Sequence, residues 1–292
     1  MDNFDNISEN EIRIIGTNPE DQHNPRKRMW WYVAIAVLAV LLVGLVAFYS
    51  LHWGGKKTPL TSVEKVIKGE DNIIAERLAY VEIEDTIINN VSLHRFIPVN
   101  AKPKLVVGQI KEIPANFILG AMAADFGIYN GEYKVTGGFV IHGEMLSHSK
   151  SKYGFCAILN DTVVLGNNLS TSYFEQAIEE NGDFFRQHAL VHKGRVANKV
   201  LSKDGALRRS LCRLNDGNLC IIDTDMSVSL DDFAEALCQY GVVEGIALMG
   251  SGAAVRWAKD KAGRRFIAGA DEYDFPDVVN YIVWEETEST KK

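Results

Sequence analysis

An α+β domain, built mainly of antiparallel or mixed β-sheet with a few packed helices and preceded by one transmembrane helix, is the architecture this sequence predicts. Three observations predict it. Turn dipeptides recur between short apolar stretches, at Asn130-Gly131, His142-Gly143, Asn160-Asp161, Lys193-Gly194, Asp204-Gly205 and Asp216-Gly217, and serial hairpins make a mainly antiparallel sheet. Two amphipathic stretches with helix caps interrupt that rhythm. Ahead of both, Met29 to Tyr49 carries no charge at all, and a helix needs about 20 apolar residues to cross a bilayer.

Taken from the N-terminus, residues 1–28 are polar and rich in Asn, Asp and Glu, the composition of a disordered tail. The expected transmembrane helix covers 29–51. Trp30, Trp31 and Tyr32 mark one interface, and Tyr49, His52 and Trp53 the other. A signal peptide would have a shorter apolar core and small residues before a cut, and a core helix would alternate faces; this segment does neither. Arg26-Lys27-Arg28 favours a cytoplasmic N-terminus, and Lys56 and Lys57 weaken that bias without reversing it. The expectation is a single-pass inner-membrane protein with its C-terminal domain in the periplasm. Residues 52–77 read as a linker, 78–286 as the folded domain, and 287–292 as a polar tail.

Within the domain, Phe139-Val140-Ile141, Phe155 to Leu159, Thr162 to Leu165, Ala189 to Val191 and Leu219 to Ile222 read as the strands between the turns. One helix starts at Ser172 with Glu175 completing a capping box, and runs through Phe174, Ala177 and Ile178 to Asn181-Gly182. A second starts at Ser229 with Asp232 at the third position. Phe233, Ala236, Leu237 and Tyr240 line its core face, and Gly241 stops it.

Composition narrows the function. The formal charge of -7 disfavours a nucleic-acid partner, which requires a basic patch. The four cysteines, Cys156, Cys212, Cys220 and Cys238, read as buried free thiols, although a three-residue loop at Asn215-Asp216-Gly217 would set Cys212 opposite Cys220. No Cys/His pair has zinc-ligand spacing, and His188 and His192 read as surface residues beside a hairpin. No metal and no cofactor is expected.

The most telling segment is Gly245 to Ala254, an apolar strand that runs into Gly250-Ser251-Gly252. Glycines after a buried strand bring backbone close to something, often a site. This loop lacks a carboxylate, a histidine and any hydroxyl beyond Ser251.

The run Arg209 to Asp223, with its Asp216-Gly217 turn and Ile221-Ile222-Asp223 end, resembles the signature hairpin of the phosphodiester glycosidase family. Other elements follow the family order over roughly residues 78–285. Val91 to Pro98 is similar to its first strand, Ala123 to Gly127 stands where an Asn-Gly-Gly turn is usual, Ser229 to Ala234 opens its helix, and Ile246 to Ala254 takes the place of its glycine-rich loop. The Gly-Ser loop and the Asn280 to Trp284 strand resemble a divergent Bacteroidota branch. Met249 stands where the family loop carries an aspartate, and Ala253 where it carries a serine.

What the resemblance implies is a sugar-phosphodiester or related glycan as ligand. Cleaving such a bond requires a cation for the phosphate and carboxylates at the sugar carbon and leaving group. Arg209 matches the family arginine, and its fork suits phosphate; it equally suits tying two loops together. Asp223 matches the family aspartate, and Asp225 stands two residues on; both read as site carboxylates or, more simply, as turn-forming caps after the strand. Asp125 is the only acid of the altered upstream turn and is the candidate to replace the charge missing at Met249, though a turn residue bonded to its own backbone is the simpler account. Gly250, Ser251 and Gly252 would meet the phosphate through backbone N–H groups and a hydroxyl. Arg256 and Trp257 follow the loop and suit a sugar phosphate, though Trp is as often a core anchor. Two functions fit: an envelope hydrolase, or a glycan-binding or envelope-assembly module that kept the fold and lost the acid. Losing a catalytic carboxylate costs orders of magnitude in rate.

Overall fold

The hairpins form where left-handed backbone is available. In the computed structural model, which describes residues 78–197, 202–269 and 274–287, both residues of Asn130-Gly131, His142-Gly143, Asn160-Asp161 and Lys193-Gly194 have positive φ. That is the backbone of two-residue hairpin turns. Asn89 and Asn90 (φ 49° and 62°) make one more, which the turn pattern had not included. Asp204-Gly205 joins no hairpin: Ala206 bridges instead to Val228. The segment 29–51 lies outside the described residues, and among those described no helix is long and apolar enough to span a membrane.

The strands form three main sheets. The first has seven, in the order β1 (Tyr80–Ile88), β2 (Val91–Val99), β15 (Leu219–Asp223), β14 (Arg209–Leu214), β16 (Val242–Leu248), β12 (Ala189–His192) and β13 (Arg195–Val196). The second runs β10 (Thr162–Asn167), β9 (Gly154–Leu159), β11 (Asp183–Gln187), β7 (Gly138–Ile141), β8 (Glu144–His148). The third runs β18 (Arg265–Ala268), β17 (Arg256–Lys259), β4 (Phe117–Met122), β19 (Asn280–Glu286), β3 (Ala101–Val107). A small hairpin pairs β5 (Phe126–Tyr129) with β6 (Glu132–Val135). Among the described residues every strand pairing is antiparallel and two short helices accompany the sheets, so the expected α+β architecture is realised as a mainly antiparallel domain.

Alternation along each strand gives every sheet two apolar faces. Leu211, Ile221 and Ile246 of the first sheet, Phe139, Cys156 and Phe185 of the second, and Leu119, Ile282 and Trp284 of the third share one central core. On the outer face of the first sheet, Cys212, Cys220 and Ile222 pack under helix α2 (Leu230–Tyr240), through Phe233, Ala236 and Leu237. Phe174 and Ala177 of helix α1 (Tyr173–Glu179) cover Phe155 and Phe184 of the second. The outer face of the third is closed by Trp257, Tyr281 and Met122, with Met249 packed against them.

The two helices begin differently. Ser229 Oγ accepts from the Asp232 backbone N–H at 3.0 Å, and Gly241 ends α2 at φ 101°. Ser172 forms no capping bond; its own backbone is already helical (φ -78°, ψ -8°), and its hydroxyl accepts from Gln176 Nε2 at 3.0 Å instead. The capping box expected there is therefore absent, and the Tyr173 N–H bonds Thr171 Oγ1 at 3.3 Å. By urea denaturation, Ser229→Ala is expected to cost about 1 kcal/mol, and Ser172→Ala less than about 0.5 kcal/mol. Equal losses would show that the two hydroxyls do the same work.

Cys212 and Cys220 stand directly opposite on β14 and β15, as a three-residue loop requires. All four thiols are free. Burial pushes the Cys212 thiol up to about 12, against a smaller downward pull from its bond to Ser210.

Candidate functional site

Four adjacent strands of the first sheet place one row of charges. Asp85 on β1 opposes His94 on β2, His94 opposes Asp223 on β15, and Asp223 opposes Arg209 on β14. Directly opposed residues put their side chains on the same face. The row therefore alternates acid, imidazole, acid and guanidinium across the sheet, and it ends at Leu248 on β16.

Asp223 is the knot. Its Oδ2 accepts from Arg209 Nε at 3.4 Å and from Arg256 Nε at 3.0 Å. Arg256 comes from β17 of the third sheet, so one buried carboxylate ties two sheets through two buried guanidiniums. Arg256 also lies over the Phe96 ring, 4.1 Å from its centroid. Among the described residues, no protein hydrogen bond occupies the terminal nitrogens of Arg256.

Arg209 is committed inward. Its Nη1 donates to the carbonyls of Met249, Ala254 and Val255 at 3.1, 3.2 and 3.3 Å, holding both ends of the glycine loop. Burial pulls its pKa down to about 10, with Asp223 raising and Arg256 lowering it, so the group remains a cation at neutral pH. Gly250 is required by close approach: a Cβ there would stand 2.7 Å from Arg209 N and 2.9 Å from Leu207 O. Gly252 faces open space, and Ser251 beside it is exposed.

These elements enclose a cleft of about 490 Å³. Arg209, Asp223, Gly250, Ser251, Gly252 and Arg256 all line it. So do Asp85, His94, Asp225 and the exposed Phe266 ring. Sequence reasoning missed Asp85 and His94. The signal was present in the Asn89-Asn90 turn, because counting outward from it pairs the two residues.

Two candidates lie elsewhere. Trp257 is 1% exposed, with its indole against the flat face of Gly120, where a Cβ would meet the ring at 2.1 Å. It is a core anchor and does not line the cleft. Asp125 lines a smaller pocket, about 160 Å³, together with Met249 and Gly250. Its carboxylate is bound by buried Lys152 at 2.6 Å, whose Nζ also donates to Gln187 and Thr136. The acid thus stands beside Met249, but its charge is already neutralised. Met249 itself is packed in the outer apolar cluster of the third sheet.

His188 is exposed, and His192 is half-buried against Glu244 at 2.9 Å. Among the described residues, no group of three or more His, Cys, Asp or Glu is placed to hold a metal ion. In the row, Asp85 and Asp225 face opposite nitrogens of His94 and do not converge on a point.

In fold, the domain is similar to a solved phosphodiester glycosidase. Specifically, it is similar to the catalytic domain of zebrafish N-acetylglucosamine-1-phosphodiester α-N-acetylglucosaminidase, in a structure auto-inhibited by its pro-peptide. The match has a TM-score of 0.52 and 13% identity over 72% of this chain and 83% of that one. A hypothetical protein from Synechocystis is similar to the same degree (TM-score 0.52, 11% identity), with 70% of this chain and 62% of that one covered. No protein-family model and no curated protein sequence matches the chain.

Proposed function

We propose that this is a single-pass inner-membrane protein whose periplasmic domain binds a phosphate-bearing glycan in the Arg256 cleft and does not hydrolyse it. The membrane part of the reading is supported by the uncharged stretch Met29 to Tyr49, its aromatic flanks and the Arg26-Lys27-Arg28 triplet. A ligand of this class is supported by the likeness in fold to an enzyme named for a sugar phosphodiester.

One observation carries binding over cleavage. Arg209 and Asp223, the residues the resemblance offers for chemistry, are bonded to each other, to Arg256 and to the loop carbonyls, and the acid position is an apolar-packed Met249. The Asp223 carboxylate is held at Oδ2 by two buried guanidiniums and serves as their counter-ion. Among the described residues no protein bond occupies the Arg256 fork, which Asp223 and Phe96 preorganise and which suits a phosphate. The exposed Phe266 ring offers a platform for a sugar face.

The test is calorimetry of full-length protein in detergent with UDP-N-acetylglucosamine and a panel of envelope glycans, alongside an assay for free sugar. Saturable binding without sugar release is expected. Arg256→Gln should weaken binding about tenfold or more, since a hydrogen bond between charged groups contributes about 1.5–3 kcal/mol. Phe266→Ala should weaken it with Tm unchanged. Release of free sugar by the wild type would defeat the non-hydrolytic reading, and absence of binding to every probe would defeat the ligand.

A further inference from the structure

We infer that His94 is a positioning residue that makes anion binding in the cleft proton-linked, a reading that rests on the ligand class just proposed. His94 Nδ1 lies 2.6 Å from Asp85 Oδ1, and Nε2 lies 3.3 Å from Asp225 Oδ2. The second contact is at ion-pair distance but is off the line of a hydrogen bond, and Nε2 is otherwise buried without a partner. A neutral imidazole has one N–H and one lone pair. With a carboxylate at each nitrogen, the neutral ring must point a lone pair at an aspartate oxygen. Only the imidazolium satisfies both contacts.

The surroundings agree. From β1 the ring is faced by Asp85, from β15 and the residues after it by Asp223 and Asp225, and beyond these stand Arg208, Arg209 and, from β17, Arg256. Burial lowers the His94 pKa, but the bond to Asp85, the charges of Asp223 and Asp85, and the contact with Asp225 together outweigh it and hold the pKa above the ordinary value.

The charge of the cleft follows. Among the described residues three arginines and three aspartates line it, so this part of the lining is neutral when His94 is neutral and carries one positive charge when His94 is protonated. Protonated His94 also holds Asp225 and Asp85 on either side of its ring. Raising pH through the elevated His94 pKa removes the charge and releases Asp225, and an anion then meets an uncompensated carboxylate. Affinity is therefore full below the ordinary histidine pKa and falls as pH passes the folded-state value. By linkage, the bound anion raises the His94 pKa further.

The probe is UDP-N-acetylglucosamine, whose phosphodiester charge is constant where a monoester would itself titrate near pH 6. Its Kd on the full chain is measured from pH 5.5 to 8.5, with the His94 ring titration followed by NMR without ligand. Both carboxylates are exposed (73% and 62%) and screened, so a rise in Kd of about three- to tenfold is expected, one pKa unit being tenfold. His94→Gln should flatten the profile. Asp225→Asn should lower the His94 pKa and tighten binding at pH 8.5. Wild-type binding that is flat across this range would overturn the inference and leave the ligand reading standing. No binding at any pH would overturn the ligand reading. In that case a His94 titration unmoved by Asp225→Asn overturns the coupling of His94 to Asp225 as well, and one that moves upholds it as a feature of the free protein.

Discussion

Asp223→Ala is expected to destabilise the domain by about 3–5 kcal/mol, the loss seen when one member of a buried ion pair is removed. The carboxylate holds Arg209 and Arg256 together, and all three side chains are at least nine-tenths buried. Without it, two guanidiniums of like charge face each other with no counter-ion and little water. The link between the first and third sheets at the cleft floor is lost with it. Asp223→Asn keeps an acceptor but not the charge, and belongs between wild type and alanine. Asp223→Leu combined with Arg256→Met should recover part of the loss, because only Arg209 is then left without its counter-ion, and it keeps its bonds to the loop carbonyls. Urea denaturation with constant m-value measures each. A loss below about 1 kcal/mol would place the cluster among screened surface pairs and would remove the reason for regarding Asp223 as structural.

Trp257→Ala carries a comparable expected cost, about 3–5 kcal/mol for deleting a buried aromatic side chain. Gly120 faces the indole and has no side chain to move into the void. The complementary variant, Gly120→Ala, drives a methyl into the ring at 2.1 Å and is expected to lose about 1–3 kcal/mol or more. Pairing it with Trp257→Leu should restore some of that. Trp257 Nε1 is buried without a hydrogen-bond partner, so Trp257→Phe, which deletes that N–H, should cost much less than alanine. Ligand affinity measured well below Tm should be unchanged in the phenylalanine variant. A large loss of affinity with stability intact would return Trp257 to the ligand-contact role its place in the sequence suggested.

The legible parts of the fold are those specified by a few neighbouring residues. Asn-Gly and Lys-Gly turns announced their hairpins because they supply left-handed backbone cheaply, and Ser229 with Asp232 and Gly241 announced α2 from both ends. Ser172 and Glu175 carry the same local signature, yet the chain enters α1 with Ser172 already helical, so the cap does not form. What seats α1 is tertiary packing, with Phe174 and Ala177 on Phe155 and Phe184.

The site divides along the same line. Arg209, Asp223, Arg256 and the 250–252 loop were identifiable from order and residue type, and the fold brings them to one cleft. Their roles were not identifiable. Arg209 holds loop carbonyls, Asp125 is neutralised by a lysine distant in sequence, and Trp257 points into the core. Residue type states what a side chain can bond, while its partners are set by the sheet.

By itself, the sequence determined the strand and turn pattern, the longer helix, the uncharged N-terminal stretch and the absence of an acid at Met249. Only the tertiary structure decided that Asp85, His94, Asp223 and Arg209 form one row. Turn chemistry acts over a few residues and sets the register within a hairpin. The β2–β15 pairing that joins His94 to Asp223 instead arises from burying Phe96 and Ile221 in a shared core, where a slip of one residue would turn every side chain to the wrong face.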